Sequence, residues 1–309
     1  MKKCFLYASA IVSIMLAGSC QKEAARPVSE GDALVTFYLE LPAAVETKAI
    51  SKAEATNIVY YEIWNADWSR MLYPVDKSAL ASEEMRERRA TIELTLVSDQ
   101  TYNFIFWAQN NSHDAYDVNE LQGVKVDYSK IEGNQDKYDA FYAVRTIKVK
   151  GPVNETIELK RPFAQLNFGA DLMTTSFGPV VVTDTHITVS NLATTFNTLK
   201  GVGDAESKGS VTFTAKRLAT DELLETNGQS YTWVTMDYML MMGEQDLVEV
   251  EAKLGVENML DYVSHSFTGV PLKKNFRTNI VGNLFTTDAK LNIIVEPGFN
   301  QPDEIVTVK

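Results

Sequence analysis

Cysteine is almost absent from this chain of 309 residues; only Cys4 and Cys20 occur, both close to the start. A domain that begins at or beyond Cys20 has no disulfide to staple it, so its core alone must hold it together. Histidine is also scarce. His113, His186 and His265 lie far apart, no two share a metal-ligand spacing, and HExxH does not occur. GxSxG, the P-loop and a strand-following GxGxxG are missing too, so no motif marks a hydrolase, a nucleotidase or a dinucleotide enzyme. Positive charge is in deficit, with 29 Lys and Arg against 41 Asp and Glu and a formal net charge of −12. That balance argues against nucleic acid as a partner and against electrostatic docking on anionic membranes.

What is present begins with the N-terminus. Lys2 and Lys3 precede an apolar run from Phe5 to Ala17, broken only by Ser9 and Ser13. A basic start, a short apolar stretch and small residues before a break make a secretory signal peptide. The run is short for a bilayer span. The stretch Leu16-Ala17-Gly18-Ser19-Cys20 resembles a bacterial lipoprotein signal, in which the cysteine carries lipid and becomes the mature N-terminus. The resemblance implies a signal over residues 1–19 and lipidation of Cys20. An ordinary signal cut near Ala17, with Cys20 incidental, is the alternative. Loss of residues 1–19 removes Lys2 and Lys3 and no acid, which takes the net charge from −12 to −14. Residues 20–32 are polar and aperiodic and read as a tether.

Beyond the tether, period two dominates. Ala33 to Leu41, Asn57 to Trp64, Thr91 to Val97, Thr101 to Gln109, Phe141 to Val149 and Glu155 to Lys160 are rich in β-branched and aromatic residues. After Arg161-Pro162 a second series runs from Phe163 to Glu296 in short strands separated by turns. Two such runs, with 45% hydrophobic content, predict an all-β chain of two tandem β-sandwiches over 33–160 and 161–309. Helix is expected to be minor: one short surface helix over Ser78 to Arg89 and a single turn within Ala219 to Thr226.

Candidate chemistry is thin. Asn110 to Glu120 repeats oxygen-bearing side chains at short intervals, which suits a hard cation, but it lacks the spacing of an EF-hand and reads first as a solvated loop. Tyr60, Tyr61, Trp64, Trp68 and Tyr73 cluster in one segment. Alternation sends Tyr60 and Tyr61 to opposite faces, so inward packing competes with a carbohydrate platform. No metal site, cofactor or catalytic residue is assigned.

Three stretches carry a family resemblance. Tyr138-Asp139-Ala140-Phe141-Tyr142-Ala143, Arg161-Pro162-Phe163-Ala164-Gln165-Leu166-Asn167-Phe168, and the run Pro271 to Phe285 are similar to segments of the fimbrillin-type surface lipoproteins, the type V pilins and their relatives. The resemblance implies two transthyretin-like β-sandwiches, an outer-membrane or cell-surface location, and assembly by strand exchange. It implies a proteolytic cut in the loop after the first strand, here at Lys48–Ala49. Release of Ala33 to Leu41 would open a groove for a neighbour's C-terminal strand. The candidate donor residues are Leu291, Ile293, Val295, Ile305, Val306 and Val308. The expected partners are the outer membrane through lipid, other fimbrillin-like subunits or further copies of this chain, and a host protein or glycan. The reading is non-enzymatic, in pilus assembly or adhesion. The alternative is a glycan- or ligand-binding surface lipoprotein that does not polymerise.

Overall fold

A computed structural model of the chain describes residues 31–42, 56–73, 81–171, 173–175, 178–216, 218–219, 222–286, 290–296 and 306–307. In the first half the strands are β1 Asp32–Glu40, β2 Ile58–Asn65, β3 Met71–Tyr73, β4 Ala81–Glu84, β5 Arg89–Val97, β6 Thr101–Gln109, β7 Tyr116–Asp117, β8 Gly123–Val126, β9 Phe141–Lys148 and β10 Val153–Glu158. The second half holds β11 Phe163–Ala170, β12 Thr174–Thr175, β13 Gly178–Pro179, β14 Val182–Ala193, β15 Thr195–Asn197, β16 Val202–Gly203, β17 Lys208–Ala215 and β18 Leu223–Thr226. It closes with β19 Gln229–Leu240, β20 Gln245–Val256, β21 Val263–Lys273, β22 Arg277–Gly282, β23 Leu291–Glu296 and β24 Val306–Thr307. The helical content among the described residues is two 3-10 turns, Tyr128–Lys130 and Asp136–Tyr138. The expected all-β class is therefore the observed one.

The first sandwich packs a three-stranded sheet, β10-β1-β5, on a five-stranded sheet, β3-β2-β6-β9, in which β4 also pairs with β2. Val35, Phe37 and Leu39 of β1 meet Val59, Tyr61 and Ile63 of β2 and Phe104 and Phe106 of β6 in one core. The second sandwich packs β17-β14-β20-β21 on the six-stranded sheet β18-β19-β11-β22-β23-β24.

Strand β6 joins the two. Its run Phe104-Ile105-Phe106-Trp107-Ala108 is fully buried on both faces. Phe104 and Phe106 enter the first core, while Ile105 and Trp107 belong to the larger core that extends into the second sandwich. The material between them is the segment 110–140, which crosses the 160/161 division. Its β8 pairs antiparallel with β15, from Thr195↔Lys125 to Asn197↔Gly123. The buried Glu62 carboxylate anchors the start of the segment by accepting from the Leu121 N–H at 2.9 Å and the Trp64 indole at 2.9 Å. Burial pushes the Glu62 carboxyl up, although both hydrogen bonds oppose the shift.

The far end of the segment completes a sheet edge. β18 covers β19 only as far as Thr232. Beyond it, the Asn134 N–H donates to the Met236 carbonyl at 3.1 Å and the Asn134 side chain accepts from the Met236 N–H at 2.8 Å. The Tyr128 hydroxyl accepts from the Leu240 N–H at 3.0 Å and donates to the Ala193 carbonyl at 3.2 Å. These side chains satisfy backbone groups that would otherwise be buried without partners. Gly133 is required by crowding, since a Cβ there would lie 2.9 Å from Asp237 Oδ1.

Two expectations are corrected. The helix over Ser78 to Arg89 is instead strand and turn wherever the segment is described. Ala81–Glu84 pairs with Ile58 to Tyr61 of β2, and Arg86 and Arg89 then bridge around Glu87 and Arg88, both at positive φ. The residues are good helix formers, but so short a helix is marginal alone, whereas the open edge of β2 and a site for buried Met85 reward the extended form. The single turn within Ala219 to Thr226 is likewise replaced, over Leu223–Thr226, by a strand. Asn227 and Gly228, both at positive φ, turn it into β19.

Asp237 lies buried beneath Gly133, with the Asn134 N–H at 3.4 Å as its donor. Burial raises its carboxyl from 3.8 to about 7. The folded chain thus binds a proton that the unfolded chain releases. This contribution is complete below pH 3.8 and is lost as pH rises towards 7. Asp237→Asn should flatten that slope and raise stability at pH 8 by about 2 kcal/mol, a gain of roughly 4–8 °C in Tm. Thermal melts of both proteins between pH 4 and pH 8 provide the check.

Candidate functional site

The residues that the sequence reading singled out for strand exchange lie towards the two ends of the folded part. β1 is the middle strand of its sheet. It runs antiparallel to β5 from Asp32↔Val97 to Glu40↔Arg89, and parallel to β10 from Val35↔Val153 to Glu40↔Glu158. Val35, Phe37 and Leu39 are fully buried and Leu34 and Tyr38 exposed, as alternation predicts, but Thr36, on the same face as Leu34 and Tyr38, is buried as well. The Phe37 ring packs edge-on against Phe104 at 4.7 Å and Phe106 at 5.5 Å. Three fully buried apolar side chains contribute about 5–9 kcal/mol of burial. Withdrawal of β1 would leave an apolar trough between β5 and β10 with a backbone edge on each side. Beyond β1, the Leu41 N–H donates to the Arg88 carbonyl at 3.0 Å, and the Arg88 guanidinium holds the Pro42 carbonyl. Lys48 and Ala49 lie outside the described residues, as does Cys20.

Of the candidate donor residues, Leu291, Ile293 and Val295 lie on β23, which is paired within the chain on both sides. β22 flanks it from Arg277↔Glu296 to Gly282↔Leu291, and β24 flanks it at Ile294↔Thr307 and Val295↔Val306. Val306 lies on β24; Ile305 and Val308 lie outside the described residues.

The other candidates resolve into packing and local turns. Asp114 is committed to Lys130 at 2.7 Å, which lowers its carboxyl. Asp117 accepts from Asn119, and Asn110 accepts from the Ser112 N–H. Among the described residues no three His, Cys, Asp or Glu side chains gather as a metal site. His186 meets Asp184 at 2.8 Å, and His265 meets the Leu284 carbonyl at 2.7 Å. Tyr61 enters the first core, whereas Tyr60, Trp64 and Trp68 pack half-buried against the larger one. The Trp64 and Trp68 rings are inclined at 43°, so they form no flat platform.

Sequence reasoning missed a clasp at the junction of the two sandwiches. The buried Arg161 guanidinium donates from Nε and Nη2 to the two carboxylate oxygens of Asp139, each at 2.7 Å. Its Nη1 donates to Asn275 Oδ1 at 2.7 Å, and its plane lies 4.8 Å from the Phe141 ring. Asn275, itself at positive φ, donates its N–H to the Phe163 carbonyl at 2.8 Å. The three sequence stretches that carry the family resemblance thus meet at one point. Pairing of a charged residue in one with an opposite charge in another was the available signal.

Comparison with known proteins gives a consistent picture. Residues 27–309 match a family described as a family of unknown function, DUF6562. No curated protein matches the sequence. The fold is similar to that of a candidate polysaccharide-binding protein (DUF1812) from Bacteroides thetaiotaomicron. Identity there is 12%, coverage 90% of this chain and 98% of that one, and the TM-score 0.52. A candidate adhesin from Bacteroides ovatus gives 10% identity, 90% and 95% coverage and a TM-score of 0.50. The fimbrial anchor protein Mfa2 from Porphyromonas gingivalis gives 9% identity, 90% and 100% coverage and a TM-score of 0.46. The first two of these structures share the fold of this chain.

Breaking the clasp on one side strands a buried charge. Asp139→Ala should cost about 3–5 kcal/mol in a urea titration, whereas Arg161→Met with Asp139→Leu together should cost far less.

Proposed function

The chain belongs to the family of unknown function DUF6562, and on that premise we propose that it is a lipid-anchored, fimbrillin-like surface protein that acts in adhesion or pilus assembly by strand exchange. The observation that carries the reading is β1. An N-terminal strand that is central in its sheet, apolar on its inner face and followed closely in sequence by Lys48 is a removable element. Its departure creates a trough that only another extended, alternating strand can fill. The names of the structural neighbours, a candidate adhesin and a candidate polysaccharide-binding protein, support a surface role. Cys20 supplies the lipid in this reading, and residues 21–32 the tether. With a net charge of −12, attachment comes from acyl chains and not from a basic patch. No step in this role calls for catalysis.

The mechanism has two states. With Cys20 and β1 in place, the subunit is tethered and its first sheet is complete. Cleavage at Lys48–Ala49 removes the covalent link between β1 and the rest of the chain. An incoming strand then repeats the pairings to β5 and β10 and refills the space of Val35, Phe37 and Leu39, so exchange is close to neutral in contacts made.

Two measurements test these steps separately. Cys20→Ala should move the protein from the membrane fraction to the soluble exported fraction, and intact mass should lose the acyl increment; unchanged fractionation removes the lipid anchor. Digestion with a Lys-specific protease, followed by sizing, should give a ladder of oligomers that Lys48→Ala abolishes. Cleavage after Lys48 with only monomer present would refute the strand-exchange role.

A further inference from the structure

The face of the six-stranded sheet that points away from the larger core carries a buried polar cluster. At its centre is Glu296, the last residue of β23, 3% exposed. Its Oε2 accepts from Arg277 Nη2 at 2.9 Å and from Asn279 Nδ2 at 2.8 Å, and its Oε1 accepts from the Thr226 hydroxyl. Asn279 Oδ1 in turn accepts from Asn167 Nδ2 at 2.8 Å, and Asn167 Oδ1 accepts from the Trp233 indole at 3.2 Å. The chain of bonds therefore passes through β18, β23, β22, β11 and β19. All five of its polar members are buried. Among the described residues, β24 is joined by two residue pairs, and none of the cluster's side chains lies on it.

We propose that Glu296 locks β23 into the sheet, so that of the two C-terminal strands β24 is the one that can be given to a second copy of the chain. The inference rests on the strand-exchange reading for its partner, but the lock itself is a property of the single chain. Withdrawing β23 would remove the carboxylate that faces the buried Arg277 guanidinium, along with the acceptor for Asn279 and Thr226. Leaving one member of a buried ion pair behind weakens a folded arrangement by a factor of roughly a hundred to several thousand. β23 would also give up its full ladder to β22 and the burial of Ile294 and Val295. Among the described residues, releasing β24 breaks two backbone pairings and separates no buried charges. The candidate donor set thus divides. Leu291, Ile293 and Val295 stay, while Val306 can leave.

Hydrogen exchange followed by mass spectrometry on the intact, uncleaved chain tests the lock without any polymer. Amides of Leu291–Glu296 should exchange as slowly as those of Arg277–Gly282, and those of Val306–Thr307 at least a hundredfold faster. Glu296→Ala should speed exchange in Leu291–Glu296 at least a hundredfold. Arg277→Met with Glu296→Met should restore most of the protection, because no charge is then stranded; this pair also covers the case in which Glu296→Ala fails to fold. Equal exchange in the two C-terminal strands, or no recovery in the double variant, overturns the lock. For the partner, Val306→Pro with Thr307→Pro in the full chain should abolish oligomers after Lys48 cleavage while leaving the exchange of Leu291–Glu296 slow. Undiminished oligomers would assign donation elsewhere and overturn the inference. Absence of oligomers from the unmodified chain would instead count against strand exchange itself, and the exchange measurements would still decide the lock.

Discussion

One buried guanidinium sets the arrangement of the whole molecule. Arg161 sits where the last strand of the first sandwich hands over to the first strand of the second, and it is nearly inaccessible to water. A charge in that position is tolerable only if every donor is met. Asp139 meets it from the segment 110–140 and Asn275 from the turn before β22. Three parts of the chain, far apart in sequence, are therefore fixed to one another with bidentate geometry. Around the clasp, Tyr142 and Lys160 exchange backbone bonds at 2.8 Å, and Asn275 reaches back to Phe163. The two sandwiches are not beads on a string; they share this joint and the double-faced strand β6.

Much of the architecture was legible because half-buried strands write their pattern plainly. Ala33 to Leu41 alternates, and its buried and exposed faces fall where alternation puts them save at Thr36, an outward position that is buried. Glu155 to Lys160 and Leu291 to Glu296 overlap the observed strands closely. β6 was recognised as a strand, yet its unbroken apolar run held a further message. Continuous hydrophobicity in a strand means burial on both faces, and that is how β6 comes to serve two cores.

The rest was hidden for identifiable reasons. Ala-Ser-Glu-Glu-Met-Arg-Glu-Arg-Arg has the propensities of a helix, and only the vacant edge of β2 turns it into a hairpin. The Asn227-Gly228 pair was a strong hairpin signal that helix reasoning passed over. The segment 110–140 shows little periodicity, since most of its structure comes from side chains that complete other elements' backbone bonds. Asn134 and Tyr128 act in this way, Glu62 of β2 does the same for the segment's own Leu121, and no local pattern marks such residues. The same is true of the Glu296 cluster, where opposite charges on neighbouring strands become a pair only once the register is known. Cys20, Lys48 and Ala49 are sequence readings throughout.

The placement of β1 has a mechanical side. Tension applied to the chain ahead of Asp32 acts along the axis of β1, while the bonds to β5 and β10 run across it. Such a load is borne by both ladders in shear, with many bonds strained together, and not by one bond at a time as in peeling a strand from an edge. A strand in this setting resists steady pulling, and in the proposed exchange it is released only when the backbone at its far end is cut and a competitor enters from that side. Strength under traction thus comes from the central position of the strand in the sheet.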